Sequence, residues 1–333
     1  MATFGSNLLT LADWAKRLDP EGDVPIIVEL LSQMNEILDD MQWGEGNLPT
    51  GDRVTVRTGL PTVFWRLLNM GIPGSKSTTA QIDEACGMLE AWCEIDKDLA
   101  DLNGNTSAFR LSEASAFIEA MNQEMAATIF YGNAGISPEQ FNGLAVRYSS
   151  LTANNGSNII DGGGAGSANA SIWLVVWGPQ TIYGIFPKAS KAGLIHEDEG
   201  LVTIENVAGI GNARMRGYRD HWQWKCGIAL KDWRYVARVA NIDVNNLTAK
   251  SSQADIQELM IRMIHRIPNL KMGRAAFYMN RTVFQMLDIY RREDVRSGGQ
   301  LHYDQVDGVM TPTFRGIPLR KCDALLTTEA KVS

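Results

Sequence analysis

A long amphipathic helix in the middle of the chain is the feature that most limits the possible folds. Apolar side chains recur there every three or four positions, which is helical spacing, along the stripe Leu111, Ala114, Ile118, Met121, Met125 and Thr128 or Ile129. Thr106 or Ser107 is a suitable N-cap, and Gly132 with Asn133 is expected to end the helix. About 25 residues at roughly 1.5 Å each give a rod of roughly 37 Å, long enough to run along one side of a domain.

A strand, a helix and a second strand are predicted near the C-terminus. AAFYM (275–279) is a short apolar strand, Asn280 is an N-cap, and residues 281–293 have helical periodicity. FRGIPLRKCDAL (314–325) contains Gly316 and Pro318, which a central strand tolerates poorly. We therefore expect this last segment to be an edge strand or a bulged strand.

The remaining periodic segments indicate a mixed α+β protein. Helices are predicted over 81–102 and over 252–267, the second with a capping box from Ser252 to Asp255. The Gly-, Ser- and Asn-rich segment 152–171 is predicted to be an exposed, pliable loop. Strands are predicted at 171–178, at 181–187, at 201–207 and twice within 218–242.

Residues 46–80 are difficult to place inside a compact domain. They contain the alternating strand RVTVRT (53–58) and the aromatic pair Phe64 and Trp65, but they are interrupted by many Gly and Pro residues. A loop this long and this apolar is uncommon unless it has a function. Either it covers another subunit, or it is a mobile lid.

The order of these segments resembles the major capsid proteins of tailed phages. The resemblance rests on the long helix closing on FYGN (130–133) before GLAVRY (143–148), and on the C-terminal FRGIPLR (314–320). It extends through the middle of the chain, where 171–198 and 218–243 resemble podovirus capsid subunits. The resemblance implies an HK97-like (Hong Kong 97) capsid fold with an N-terminal arm, an extended β-hairpin loop, a long spine helix with a peripheral lobe, and a β-rich axial lobe.

The resemblance also implies a domain map and a set of partners. The expected divisions are an N-terminal arm (1–45), an extended loop (46–80), a peripheral domain with the spine helix (81–150), an axial domain (151–270) and C-terminal elements completing both lobes (271–333). The expected partner is the chain itself, as hexamers and pentamers of an icosahedral shell around double-stranded DNA. Scaffolding, portal and decoration proteins are further candidates, and Gly71 to Gly74 and Gly162 to Gly166 are candidate flexible points between non-identical neighbours.

Seven residues are candidate contacts between subunits. Aromatic side chains in segments without a core of their own are suitable interface anchors, which applies to Trp14, Trp43, Phe64 and Trp65. Arg214, Arg216 and Arg219 form a small basic cluster next to acidic residues. We favour ion pairs between subunits over DNA contact for these arginines, because the net charge of −7 disfavours a chain that coats phosphates.

No catalytic, cofactor-binding or metal-binding constellation is predicted. GIPGSKS (71–77) lacks the spacing of a phosphate-binding loop, and GIGNARMRG (209–217) lacks the third glycine of a dinucleotide fingerprint. HEDEG (196–200) offers hard oxygen ligands for a divalent cation, but a solvated acidic turn is the preferred interpretation. The alternatives for function are an encapsulin-like compartment, a prophage remnant shell, and, in a different class, an enzyme with a lid at 46–80.

The cysteines and the N-terminal sequence bear on the redox state and the location of the protein. The four cysteines, Cys86, Cys93, Cys226 and Cys322, form no CxxC pair, which is typical of free, mostly buried thiols in a reducing cytoplasm. The N-terminal sequence lacks the features of a signal peptide, and no apolar run approaches the ~20 residues of a membrane span. Together with these features, the resemblance to phage capsid proteins implies assembly in the cytoplasm of a bacterial host and a final location in the virion.

Overall fold

The computed structural model describes residues 9, 13, 33–102, 104–205, 213–251, 254–294, 301–306 and 309–333, with only the backbone described between 291 and 311. The chain divides into two compact units. The smaller unit contains Met88–Met125 and Gly193–Lys225, with the described residues before Met34. The larger unit contains Met34–Gly87, Ala126–Ala192 and Cys226–Ser333. Within the described residues, no helix is long and apolar enough to cross a membrane.

The helices and strands are numbered here in chain order. The helices are α1 (Ile37–Asp40), α2 (Lys97–Ala100), α3 (Thr106–Tyr131), α4 (Leu144–Arg147), α5 (Val244–Ala249), α6 (Ile256–Arg266) and α7 (Arg281–Asp294). The strands are β1 (Trp43–Glu45), β2 (Gly51–Gly59), β3 (Thr78–Ala85), β4 (Gly87–Asp96), β5 (Ile159–Asp161), β6 (Asn169–Trp177), β7 (Ile182–Phe186), β8 (Leu194–Glu205), β9 (Arg214–Leu230), β10 (Val236–Asp243), β11 (Arg274–Met279), β12 (Leu301–Val306), β13 (Val309–Phe314) and β14 (Ile317–Lys321).

The core of the larger unit is built around β6. Every residue of β6 is buried, as expected for a continuous apolar run that is covered on both faces. β10 and β11 pair with β6 in antiparallel fashion on its two edges, and β14 pairs with β11 in parallel. Helices α6 and α7 pack their apolar stripes on this sheet through Met260, Met263 and Leu287. The strands predicted at 171–178, 181–187 and 275–279 and the helix predicted at 281–293 are confirmed.

The long helix α3 is confirmed, but part of its predicted buried face is wrong. Met121, Met125 and Ile129 are buried, whereas Leu111 and Ile118 are 72% and 45% exposed. The large ring of Phe109 fills the core of the smaller unit in this half of the helix, and Phe117 stacks on Trp222 at 5.7 Å between ring centroids. These aromatic side chains bury more area than the aliphatic stripe that the spacing favoured. They therefore determine which face of the helix is directed into the core of the smaller unit.

The helix predicted over 81–102 is wrong. The segment forms the end of β3, then β4 and the short helix α2. Leu89, Ala91, Cys93 and Ile95 alternate along β4 and pack into the core of the smaller unit. Leu89 and Cys93 satisfy both a helical period and a two-residue period, and pairing with the neighbouring strand β9 selects the second.

The C-terminal strand is also placed differently from the prediction. β14 lies between β13 and β11, so it is not an edge strand. Arg315 and Gly316 have φ of 51° and 79° and form the tight turn from β13 into β14. Pro318 is tolerated because it precedes Leu319, the first β14 residue in register with β11.

Two local predictions, the loop at 152–171 and the cap of the helix predicted over 252–267, differ from the structure. The segment 152–171 includes β5, whose Ile159 and Ile160 are buried. A Cβ atom on Gly162 would lie 2.9 Å from the carbonyl oxygen of Asn241, so this glycine permits close backbone packing, and the flexibility of residues 162–166 stays a prediction. Helix α6 is capped by Asp255, whose carboxylate accepts from the Glu258 amide at 3.0 Å, while the predicted cap Ser252 lies outside the described residues.

A buried ionic network ties the C-terminal segment to the sheet of the larger unit. The guanidinium of Arg238 on β10 donates to Glu329 Oε2 at 2.8 Å, and both side chains are about 5% exposed or less. Ser171 and Tyr131 also donate to the Glu329 carboxylate, and Arg238 donates to the Tyr148 carbonyl oxygen at 2.7 Å. Both charges are therefore compensated by several partners, the condition under which a buried pair is tolerated.

We expect Glu329→Gln to lower the free energy of unfolding by about 3–5 kcal/mol, because it leaves the Arg238 charge buried without a counter-charge. The matched control is Glu258→Gln, which removes an exposed i,i+4 pair with Arg262 and should cost about 0.3–0.5 kcal/mol. Urea denaturation of unassembled subunits, followed by circular dichroism, measures both values. Equal losses in the two variants would contradict the structural role of the network.

Candidate functional site

The clearest candidate site is an antiparallel hairpin formed by β2 and β3. The strands pair from Gly51 with Ala85 to Gly59 with Thr78, and residues 60–77 form the tip between them. All residues of the tip are exposed. Its large apolar members are Leu60, Val63, Phe64, Trp65, Leu67, Leu68, Met70 and Ile72, among which Trp65 is fully exposed. A monomer rarely exposes so many contiguous apolar side chains without an interaction to make.

The tip keeps its shape through a few polar contacts. The Ser75 hydroxyl donates to the Thr62 carbonyl oxygen at 2.6 Å, which joins the two sides of the tip. Arg66 Nε donates to the Met70 carbonyl oxygen at 2.9 Å. A Cβ atom on Gly71 or Gly74 would meet no atom within 4 Å. The tip thus has local hydrogen bonds but no core of its own.

The root of the hairpin is held by two buried polar contacts within the larger unit. Arg147 on α4 makes a bidentate pair with Glu84 on β3, with N to O distances of 2.5 and 2.7 Å. The Tyr183 hydroxyl on β7 donates to Asp52 Oδ2 on β2 at 2.5 Å. Burial, together with the bond to Asp52, raises the pKa of Tyr183 well above its ordinary value, so the hydroxyl remains a donor.

The backbone is also tightly packed at this root. A Cβ atom on Gly51 would lie 1.9 Å from the carbonyl oxygen of Glu84, so only glycine permits the strands to approach each other there. These contacts hold both strands at the root of the hairpin, whereas the tip residues 60–77 are exposed.

An open groove of about 1340 Å³ lies beside the hairpin in the larger unit. Arg57, Lys231 and Gln180 line it, together with the ion pairs Arg147 to Glu84 and Arg234 to Asp232. Because these carboxylates are paired with guanidinium groups, they are poor candidates for acid-base chemistry. Within the described ranges, no group of three or more His, Cys, Asp or Glu side chains is placed to hold a metal ion.

The acidic segment HEDEG (196–200) belongs to β8 and is not the turn that we predicted. Its strand shifts register between Asp198 and Gly200, where Gly200 has φ of 68°. Asp198 accepts from Arg110 at 2.6 Å, and this hydrogen bond is the main cause of the lowered pKa of Asp198. The oxygens that we considered as cation ligands are thus partly occupied by a guanidinium group.

Six of the seven candidate contact residues are among the described residues. Phe64 and Trp65 lie together at the hairpin tip, and Trp14 lies outside the described residues. Trp43 is half-buried in β1 and covers Gly184 of β7. Arg214 pairs with Glu205 and Arg219 with Glu94 and Glu199 of the same chain, while Arg216 is exposed.

Sequence reasoning selected two aromatic residues of the tip and missed its aliphatic ones. Leu60, Val63, Leu67, Leu68, Met70 and Ile72 follow neither a two-residue nor a helical period, so no pattern marked them. The signal that could have identified them is the high fraction of large apolar residues in a segment that is interrupted by Pro and Gly and cannot build a core.

The cysteines are free, as expected. Cys93, Cys226 and Cys322 are buried and Cys86 is half-buried. Burial raises the pKa of Cys86 to about 11 and that of Cys322 to about 12, so these thiols are poor nucleophiles at neutral pH.

Comparisons with known proteins identify the architecture. Residues 19–333 match the family described as Major capsid protein GP7. A chain of the cryo-EM structure of bacteriophage Epsilon15 is 29% identical, with a TM-score of 0.77 and coverage of 100% of this chain and 99% of that one. No protein with a curated description matches the sequence.

More distant similarities extend to other shells. A chain of the bacteriophage JBD30 capsid is 11% identical, with a TM-score of 0.49 and coverage of 95% of this chain and 99% of that one. The SrpI encapsulin of Synechococcus elongatus is 11% identical, with a TM-score of 0.43 and coverage of 71% and 97%.

The expected HK97-like fold is thus confirmed, with an α+β chain, a long helix and a projecting hairpin. The family match spans almost the whole chain and agrees with the family that the sequence motifs indicated. The chain belongs to the Major capsid protein GP7 family and is a shell protein of a phage capsid.

Proposed function

We propose that this chain assembles as hexamers and pentamers into the icosahedral head of a tailed phage, and that the hairpin tip is one of its main contacts with a neighbouring subunit. The observation that carries the proposal is the exposed apolar surface of residues 60–72. Burying one such side chain contributes about 1.5–3 kcal/mol. Several in each subunit, repeated over many copies, are sufficient to drive closure of a shell.

The proposal includes the domain map. Residues 1–45 are the arm, 46–80 with the return strand β3 are the extended loop, and the helix α3 is the spine. Trp14, Trp43, Arg214, Arg216 and Arg219 remain proposed contacts. Arg216 is the best placed of the arginines, because it is exposed and Arg214 and Arg219 already have partners in their own chain.

The role that we propose is structural and not enzymatic. The net charge of −7 suits a container that holds double-stranded DNA without binding it tightly or by sequence. Scaffolding, portal and decoration proteins are the proposed further partners, and the host cytoplasm is the proposed place of assembly.

The test of shell formation is negative-stain microscopy with size-exclusion chromatography, on protein expressed alone and with its neighbouring genes. We expect closed polyhedral shells, or rings of subunits that close when a scaffold is added. A persistent monomer of about the 36.7 kDa chain mass under both conditions would contradict the proposal.

We expect Trp65→Ser and Leu68→Ser each to raise the protein concentration needed for assembly by roughly tenfold to a hundredfold, the factor equivalent to about 1.5–3 kcal/mol per lost contact. Subunit stability should not change, because both side chains are almost fully exposed in the single chain. Light scattering during assembly measures the first effect and thermal denaturation the second. Ile136→Ser, which removes an 81% exposed side chain outside the hairpin, is the control. An equal assembly defect in Ile136→Ser would contradict a specific role of the hairpin tip.

The direction of the hairpin should depend on its root. We expect Arg147→Gln to raise amide hydrogen exchange in unassembled subunits at residues 51–54 and 82–85 by at least roughly tenfold, because a buried Glu84 loses its counter-charge. Asp83→Asn is the control, since it removes the exposed pair with Arg53 on the same hairpin and should change exchange little. Unchanged protection in Arg147→Gln would show that packing alone holds the root.

A further inference from the structure

One face of the strands in the smaller unit has an unusual exposed surface, which we call the Trp92 face. It consists of Met88, Glu90, Trp92 and Glu94 on β4, Ile195, Glu197 and Glu199 on β8, and Arg219, His221 and Gln223 on β9. The register places Glu197 opposite His221 and Ile195 opposite Gln223. Trp92 is 47% exposed and Met88 is 63% exposed.

The opposite face of these strands is the one that builds the core. Cys93 and Ile95 of β4 and Trp222 of β9 point into the hydrophobic cluster with the long helix. Alternation along each strand therefore forces Trp92 and its neighbours to the other side. Among the described residues, Trp92 therefore lies outside the hydrophobic core of the smaller unit.

The exposed ring of Trp92 is held in place from within its own unit. The His221 ring stacks on it with 4.0 Å between centroids, and the Arg219 guanidinium lies 5.5 Å from its centroid. Arg219 also pairs with Glu94 at 2.9 Å and with Glu199 at 3.4 Å. A ring that is fixed in this way loses little conformational entropy on binding, which is a property of interface anchors.

The Trp92 face has an excess of negative charge. Four glutamates stand on it, against the cations Arg219 and Lys225 of β9. Arg219 is shared by Glu94 and Glu199, while Glu90 accepts from the neutral amide of Gln223 and lies 3.6 Å from Nε2 of His221. Glu197 is exposed. A partner for this face should therefore bring apolar side chains together with cations.

The hairpin tip has that composition. Between Asp52 and Asp83 the sequence contains no acidic residue, while Arg57, Arg66 and Lys76 are cations beyond the paired Arg53. The same segment carries the exposed apolar side chains of the tip. Among the described residues, Trp65 is fully exposed, so its indole is available to a partner.

We propose that the Trp92 face is the surface on which the hairpin tip of a second copy of this chain docks. This inference rests on the proposed role of the hairpin and names the receiving surface. Tip residues such as Trp65 and Leu68 cover Trp92 and Met88, while Arg66 and Lys76 pair with Glu90 and Glu197. The apolar contacts supply most of the affinity, and the charges select the register and make assembly sensitive to salt.

The first test is photocrosslinking in assembled shells. Trp65 is replaced by p-benzoyl-phenylalanine, subunits with normal and with heavy isotopes are mixed before assembly, and crosslinked peptides are identified by mass spectrometry. We expect mixed-isotope crosslinks to residues 88–94, 195–199 or 219–223. Mixed-isotope crosslinks only to other parts of a neighbour would overturn the Trp92 face and leave the proposed role of the hairpin intact. Shells with no mixed-isotope crosslink would overturn both.

The second test exchanges the charges. We expect the tip variant Arg66→Glu with Lys76→Glu, and the face variant Glu90→Lys with Glu197→Lys, each to lower shell yield by roughly tenfold. Combining all four substitutions should restore most of the yield, because opposite charges face each other again. Circular dichroism of each unassembled variant identifies failures of folding.

The matched control combines the tip variant with Glu139→Lys, an exposed glutamate outside the Trp92 face. This combination should restore nothing. Restoration by Glu139→Lys, or folded face variants that assemble as well as the original chain, would show that the tip docks elsewhere.

Discussion

The burial of β6 on both faces and along both edges is the constraint on which the larger unit depends. A strand with nine buried residues cannot leave a backbone amide or carbonyl unpaired, so both of its edges need partner strands. β10 and β11 fill these positions, and they come from distant parts of the sequence. The buried pair between Arg238 of β10 and Glu329 then draws the C-terminal segment onto the same sheet. The later half of the chain is thus organised around one apolar segment that the sequence marks clearly.

The hairpin combines a root that is held by buried contacts with a tip whose side chains are exposed among the described residues. Near its root, a buried carboxylate on each strand is bound, Asp52 by Tyr183 and Glu84 by Arg147, and glycines allow close approach of the backbone. At its tip, apolar side chains are exposed instead of buried. A fixed direction lowers the entropy that is lost when such a tip finds a second subunit, so the root contributes to assembly without touching a partner.

The spacing of apolar residues predicted helices and strands well where only one arrangement buries them. It predicted them poorly where several sets of apolar residues could form the buried face. The existence and length of α3 followed from spacing, but its buried face did not, because the stacking of Phe117 on Trp222 joins residues far apart in sequence. The error at 81–102 has the same origin, since only pairing with β9 decides between a helical and a two-residue period. The contacts at the hairpin root could not be predicted from the sequence, because Glu84 and Arg147 are 63 residues apart and no local pattern links them. Phe64 and Trp65 could be selected because aromatic residues without a local core stand out even in isolation.

The proposed docking also explains how unassembled subunits can expose an apolar tip without aggregating. Exposed apolar segments promote aggregation when they lack charge, and the cations of the tip oppose contact between two tips. The same cations favour a surface that is acidic and already contains a fixed aromatic ring, which the Trp92 face provides. The tip is attracted to the Trp92 face and is repelled by another tip, so the two surfaces in the contact are different and the interface is heterologous. Each subunit can then dock its tip on one neighbour and receive the tip of another. Contacts of this kind close into rings when the rotation between neighbours permits it, and rings are the units from which a shell is built.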